Sequence, residues 1–532
     1  MSPCYYRHPR IFTGQDTSTF VSAFAIEDGR FTWTGDAADI PAGAAVEDLG
    51  GSVVLPGFVD THMHPTFIAQ NIGAVACIVP NVTSIPEMLD ALRSHPAFGK
   101  GDTAWIEGWG YDESKLAEHR PPTRHDLDQV SASQPIFVMR SDCHSGLANT
   151  RALELAGITR ETPDPPDGAF GRNEDGVPNG ILRENGAAYA VARARGATDY
   201  ASDVARLVAT SQRLAAHGIV ACTDMLCIPT PYRQLDLYRD AQRQGFTQHA
   251  RLYYDFEALQ TYPIPPITDA DRAGQIAIGG IKLFMDGSIS NRTAWMRDPY
   301  PGTAGDTGMR ICLPQQMIDA LAFARENRLQ ISVHAMGDRA IQEVVDVWGD
   351  EAPWMGELPS VRIEHASVLD AELMQRIAAA RMTFGVATNV DFFFCEYDSY
   401  SVNLSAEQFA RTYAVKDMSA AIERLALSSD SPATTWADPD NVFLSIQAAV
   451  TRKAYNGADI VAAQAITVPE AVLLFTGRAR KVADALDIGM VAPGFQASFI
   501  TLADDIFAVD PSAIIDTQVT GTWIRGERVY AA

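Results

Sequence analysis

From about residue 200 to residue 486, short apolar runs rich in β-branched residues alternate with amphipathic helical stretches, and this rhythm narrows the fold more than any other feature. The helical stretches are 203–217, 314–327, 339–348, 370–381 and 467–486, the last opening with the capping-box spacing Thr467-Val-Pro-Glu470. Strand–helix alternation of this kind builds a parallel sheet, open or closed. Candidate strands are 53–61, 136–142, 218–224, 250–255, 280–286, 330–336, 361–367, 382–387 and 424–430. These nine exceed an eight-stranded barrel by one. The interval from His64 to Gly218 far exceeds a simple crossover, so 136–142 is assigned to an insertion of about 66–205 that caps one end of the barrel.

Both chain ends read differently. Residues 19–35 alternate around Asp28-Gly29, a hairpin signal, and the chain after Gly489 again shows short strands with glycine turns. The expected organisation is α/β: a β domain from 1–56 and 488–532, and a (β/α)8 barrel over 57–487 that includes the insertion.

Composition excludes several functions. The net charge of −24 argues against a nucleic-acid surface and against anionic membranes. No window approaches the roughly 18 apolar residues of a membrane span, and the N-terminus lacks an export signal. Seven scattered cysteines without a C-x-x-C pair fit a reducing cytoplasm. Neither phosphate-loop glycine motifs nor a G-x-S-x-G elbow occurs.

Metal-competent residues gather at the C-terminal ends of the candidate strands, the end at which barrels carry their chemistry. His62 and His64 end the first, Lys282 and Asp286 lie in GIKLFMD, His334 in ISVHAMGD, His365 in RIEHAS and Asp430 in LALSSD. The i, i+2 spacing of His62 and His64 sends both imidazoles to one side of a strand. Alone that pair is weak evidence. Four strand-end imidazoles with a carboxylate suit zinc or a similar divalent ion. Lys282 does not fit as an ammonium beside cations; it joins the site if carbon dioxide converts its amine to a carbamate, and otherwise pairs with Asp286 or Asp224.

The segments LPGFVDTHMH, GIKLFMDGS, SVHAMGDRAI, RIEHAS and LSSDSP, in this order, resemble the amidohydrolase superfamily, specifically its amidohydrolase-3 branch with N-substituted formamide deformylase. IEDGRFTWTG, GWGYDESKLAEHRPPTRHDLDQVS and APGFQASFITLADD extend the resemblance over nearly the whole chain. It implies a distorted (β/α)8 barrel beside a β-sandwich built from both termini. It also implies metal ligation by His62, His64, His334 and His365, two zinc ions bridged by carboxylated Lys282, and Asp430 as ligand and proton carrier. The chain departs from its relatives in Ser-Asp430-Ser-Pro and in Asp142-Cys-His144-Ser.

The expected activity is hydrolysis of a non-peptide C–N bond of a small amide, N-acyl or N-formyl compound by a metal-activated hydroxide. Trp109, Tyr111, Asp142 and His144 of the insertion are candidate substrate contacts, with His144 also a candidate catalytic donor to the carbonyl oxygen. Phe392, Phe393 and Phe394 are candidates for an apolar wall. Two alternatives stay open: a ring-amidine deaminase, which would carry H-x-x-E where this chain has His334-Ala-Met-Gly337, and a non-catalytic metal- or ligand-binding barrel. No nucleic-acid or membrane partner is expected, and association as a homodimer is left open.

Overall fold

The computed structural model describes residues 3–141, 145–165, 168–196 and 199–532. The chain forms two compact units, one of Met1–Thr66, Leu207–Ser431 and Asp440–Ala532, the other of Phe67–Arg206 and Pro432–Pro439.

The first unit contains a parallel barrel of eight strands: β1 (Phe58–Met63), β2 (Ile219–Cys227), β3 (His249–Asp255), β4 (Ile276–Phe284), β5 (Gln330–Ala335), β6 (Val361–His365), β7 (Phe384–Thr388) and β8 (Leu425–Leu427). Each pairs in parallel with the next in the chain. The seam between first and last is bonded just beyond β8, where Asp430 N donates to His62 O at 2.8 Å and His64 N to Ser431 O at 2.7 Å. These two bonds join the chain segments that carry three of the candidate ligands. At the strand starts, Val59, Val220 and Ala426 pack with Val482, Ile488 and Ile524 into an apolar floor, so polar chemistry is confined to the levels above it.

In the same unit the two termini join one eight-stranded sheet, in which Phe499–Leu502 pairs with both Val53–Pro56 and Val519–Ile524. Phe24, Phe31, Phe499 and Trp523 share its core, Phe499 and Trp523 stacking with centroids 4.7 Å apart. The Asp28-Gly29 turn has φ of 50° and 74°, as the primed turns of hairpins require.

The second unit is organised around a six-stranded sheet containing Ile106–Tyr111 and Ile136–Arg140. The surplus candidate strand, observed as Ile136–Arg140, therefore lies outside the barrel sheet. Among the described residues no helix is long and apolar enough to cross a membrane.

Two sequence expectations are corrected. The run 53–61 is two strands: Val53–Pro56 belongs to the terminal sheet and β1 starts at Phe58. The chain changes sheets at Gly57, where a Cβ would lie 2.3 Å from Val220 Cγ1, so only glycine lets the backbone pass. The stretch 467–486 is not one helix. A helix ends at Leu474 and a short 3-10 turn occupies Ala479–Lys481, because at Gly477 the backbone presses on Gly14, whose carbonyl oxygen a Cβ would meet at 2.1 Å.

Candidate metal centre

Alternation along the strands sorts the residues inside the barrel into levels. Near the floor, Gln330 of β5, Tyr253 of β3 and Arg362 of β6 are fully buried and joined through the Tyr253 hydroxyl, which donates to Gln330 Oε1 and accepts from Arg362 Nη1 at 3.1 Å. Above them Ser332 donates to Glu364 Oε1 at 2.9 Å. At the strand ends come the imidazoles. His62, His334 and His365 form a chain of rings, with centroids 4.8 Å apart for His62 and His365 and 4.4 Å for His334 and His365. His64 lies 5.6 Å from His62.

Asp430 faces three of these rings. Its Oδ1 is 2.9 Å from His64 Nε2 and 3.4 Å from His62 Nε2, and its Oδ2 is 3.9 Å from His365 Nδ1. One donor atom from each of His62, His365 and Asp430 falls within a 4.8 Å cluster, a spacing able to hold a metal ion. His334 adjoins through His365, and its Nε2 is 3.1 Å from the Gly287 carbonyl oxygen.

The site is largely buried, and burial sets the protonation of three of its imidazoles. Burial, reinforced by the Lys282 charge, pushes His62 and His334 down to about 4, and burial beside His334 and His62 takes His365 well below its ordinary value. Burial works against ionised Asp430, but the attraction of the neighbouring His62, the hydrogen bond with His64 and the Lys282 charge outweigh it and hold the carboxyl below the usual range. Neutral imidazole nitrogens with a carboxylate oxygen form a donor set that fits zinc.

Lys282, on β4, is 1% exposed, and its Nζ lies 5.2 Å from the Phe284 ring centroid. Among the described residues it has no ion pair. The two carboxylates considered as its partners are engaged elsewhere: Asp286 accepts from the backbone N–H groups of Trp295, Met336 and Gly337, and Asp224 accepts from the Tyr238 and Thr66 hydroxyls. Burial lowers the Lys282 amine to about 8, against the pull of Glu364 and Asp430.

The structure thus brings His62, His64, Lys282, His334, His365 and Asp430 to one end of one barrel. Trp109 and Tyr111 lie in the second unit, both buried on Ile106–Tyr111, with Tyr111 in an apolar cluster with Val138 and Leu147. Asp142 and His144 fall outside the described residues. Of the DFFFC run, Phe392 stacks on His365 at 5.8 Å with its ring nearly parallel, while Phe393 packs against Phe409 and Tyr413. Asp338 begins the helix Asp338–Trp348 and accepts from Arg297 N at 2.8 Å.

Residues that the sequence reading passed over hold the imidazoles in place. Glu364 Oε2 is 2.7 Å from His62 Nδ1, and Asn389 Oδ1 is 3.0 Å from His365 Nδ1. The available signal was Arg362 and Glu364 at i, i+2 on an otherwise apolar strand, two charges that alternation directs to one face.

A family model described as "Amidohydrolase family" matches residues 45–530. The chain belongs to the amidohydrolase family. As an amidohydrolase it is a metal-dependent hydrolase. It is similar to YtcJ of Bacillus subtilis, 26% identical over 98% of each chain. It is also similar to N-substituted formamide deformylase of Arthrobacter pascens, 25% identical over 96% of this chain and 94% of the relative. The crystal structure of a metal-dependent hydrolase from Pyrococcus horikoshii shares the fold, with a TM-score of 0.74 at 24% identity, over 96% of this amidohydrolase and 99% of that chain.

Proposed function

We propose that this amidohydrolase cleaves a non-peptide C–N bond of a small N-formyl or N-acyl amine, or of a cyclic amide. In this reading His62, His64, His334, His365 and Asp430 would hold the metal, up to two zinc ions per chain, and Lys282, as its carbamate, would add a further oxygen ligand. The observation that carries it is the convergence of four imidazoles, three of them held uncharged by burial, with one ionised aspartate that faces His62, His64 and His365. When bound, the metal acts as a Lewis acid and makes a water nucleophilic at neutral pH.

The chain's own residues do the rest. Asp430 takes a proton on its carboxylate and delivers it to the leaving nitrogen, as general base and then general acid. The Lys282 amine, unpaired and buried, attacks carbon dioxide, loses one proton and becomes an anion with two ligand oxygens. Phe284 and Phe392, whose rings lie 5.5 Å from His334 and 5.8 Å from His365, exclude water from the barrel side and favour an apolar substituent next to the scissile bond. His144, Asp142, Trp109 and Tyr111 remain the proposed contacts to the amide, with His144 donating to its oxygen. The similarity to N-substituted formamide deformylase supports this choice of bond.

The deaminase alternative needs a glutamate at position 337. A Cβ on Gly337 would lie 2.1 Å from the Trp295 carbonyl oxygen, so a side chain there has no room. The test is metal analysis of the purified protein with a hydrolysis screen over formamides, longer N-acyl amines and cyclic amides. The expected result is one to two zinc ions per chain and amine release that chelation abolishes. Undiminished hydrolysis by the metal-free protein would overturn the reading.

A further inference from the structure

Below the imidazoles, the barrel interior holds charge where branched apolar side chains usually pack. Arg362 and Glu364, adjacent on the inner face of β6, are both 0% exposed. Arg362 Nε is 2.9 Å from Glu364 Oε1, and its Nη2 donates to Glu364 Oε2 at 3.2 Å and to the Thr61 carbonyl oxygen at 2.5 Å. A buried ion pair of this sort is poor at stabilising a fold, since desolvation cancels most of its attraction and apolar residues of equal volume often do better. Its geometry is informative instead. The Glu364 carboxylate is surrounded: Ser332 and Arg362 meet Oε1, and Arg362 and His62 Nδ1 meet Oε2.

From this arrangement, and resting on the metal centre proposed above, we infer that Glu364, anchored by Arg362, is a positioning residue that locks His62 in the tautomer with Nδ1 protonated and Nε2 presented to Asp430 and the metal. The alternative tautomer would set the Nδ1 lone pair 2.7 Å from a carboxylate oxygen, acceptor against acceptor. With Nδ1 donating, Nε2 keeps its lone pair on the side that faces Asp430. The chain from Gln330 through Tyr253 to Arg362 ties this orientation to the barrel floor. It also links two parts of the centre: Arg362 grips the backbone of Thr61, next to His62, while Glu364 adjoins His365 on its own strand. Carboxylates behind metal-bound imidazoles raise ligand basicity, and their loss typically weakens metal affinity 10- to 100-fold.

The test compares wild type with Glu364→Gln. A glutamine can turn its NH2 toward His62 Nδ1, which frees that nitrogen to accept and permits the other tautomer. Two readouts are taken: the 15N and 1H correlation spectrum of labelled histidines in the metal-free protein, which reports which ring nitrogen carries the proton, and a zinc competition titration. The expected result is His62 protonated at Nδ1 in wild type, a shift toward Nε2 protonation in E364Q, and zinc held 10- to 100-fold more weakly. A folded E364Q with unchanged tautomer and unchanged zinc affinity overturns the inference. If E364Q does not fold, Glu364→Asp decides: it keeps the charge beside Arg362 but withdraws the carboxylate by one methylene, and unaltered tautomer and affinity there overturn it equally. Should wild type take up no zinc, the metal reading has failed, and the metal-free spectra still decide whether Glu364 sets the His62 tautomer.

Discussion

Gly337→Ala tests how the His334 side of the centre is built. Gly337 has φ of −77° and ψ of 149°, a conformation open to any residue, so alanine brings no backbone strain there. Its Cβ would instead meet three Trp295 backbone atoms, at 2.1 Å from O, 2.5 Å from C and 2.9 Å from N. An ordinary contact is near 3.4 Å, so the Trp295 peptide must retreat by more than 1 Å. That peptide is engaged. Its oxygen accepts from Arg339 N and Ala340 N at 3.2 Å, closing the N-terminus of the helix Asp338–Trp348, and its N–H donates to Asp286. Overpacking of this kind costs about 1–3 kcal/mol, and two weakened cap bonds add about 0.5–1.5 kcal/mol each. The expected cost of about 2–6 kcal/mol should appear as local opening of 286–297 and 336–340, because Asp286 bridges the two segments. Hydrogen exchange read on these segments should show faster opening, together with weaker zinc retention, since the Gly287 carbonyl beside His334 lies in the displaced loop. Unchanged protection in both segments would refute the steric argument, and with it the case against a glutamate at this position.

Asp430→Asn should lower kcat by about 10²- to 10⁴-fold if the carboxylate moves the proton, checked at equal zinc content; a loss under tenfold would deny it that role. If Lys282 holds metal as its carbamate, Lys282→Ala should lose metal and turnover, and added formate or acetate should restore part of both by supplying the missing carboxylate; rescue by chloride equal to that by acetate would argue for a nonspecific effect. Asp440→Asn should destabilise the barrel unit by about 2 kcal/mol in urea unfolding, because buried Asp440 binds Arg213 and His217, with Arg213 one-third exposed and therefore discounted. Burial opposes ionisation of Asp440, but Arg213 and His217 outweigh it and depress its folded pKa below the ordinary 3.8. Its stabilisation is therefore complete above about pH 4 and is lost as pH falls through the depressed value, so the gap between wild type and D440N should hold at pH 5 and narrow only in stronger acid.

The barrel was legible because a strand in a closed parallel sheet is an apolar run and the helix between strands is amphipathic, so local pattern and architecture agree. The helix Pro314–Asn327 coincides with its sequence boundaries for that reason. Legibility failed where contacts distant in sequence decide. Nothing local in VVLPGFVDT shows that its halves join different sheets; that follows from Val220 of the neighbouring strand pressing on Gly57. The ligand set was legible as residue types at strand ends, but the polar network beneath it was not, because two charges on a strand read equally well as a solvated face.

His365 shows where alternation and chemistry part. On β6, Arg362 and Glu364 face the barrel interior, so His365 would project outward with Val361 and Ile363 if the strand ran on. Its ring lies 4.8 Å from that of His62. The backbone resolves the conflict by leaving the extended region, with φ of 69° at His365 and 45° at Ala366, at a cost on the order of 1–3 kcal/mol for each such residue. Asp430 makes the same kind of turn after β8, with φ of 51°. These left-handed positions are held by neighbours: Thr388 donates to the His365 carbonyl oxygen, Asn389 meets its ring, and Asp430 N is bonded to His62. The strain and the polar scaffold thus act together. Glu364 can occupy the inner face below the site, and His365, the very next residue, can still reach it, only because the strand breaks its own alternation at that point.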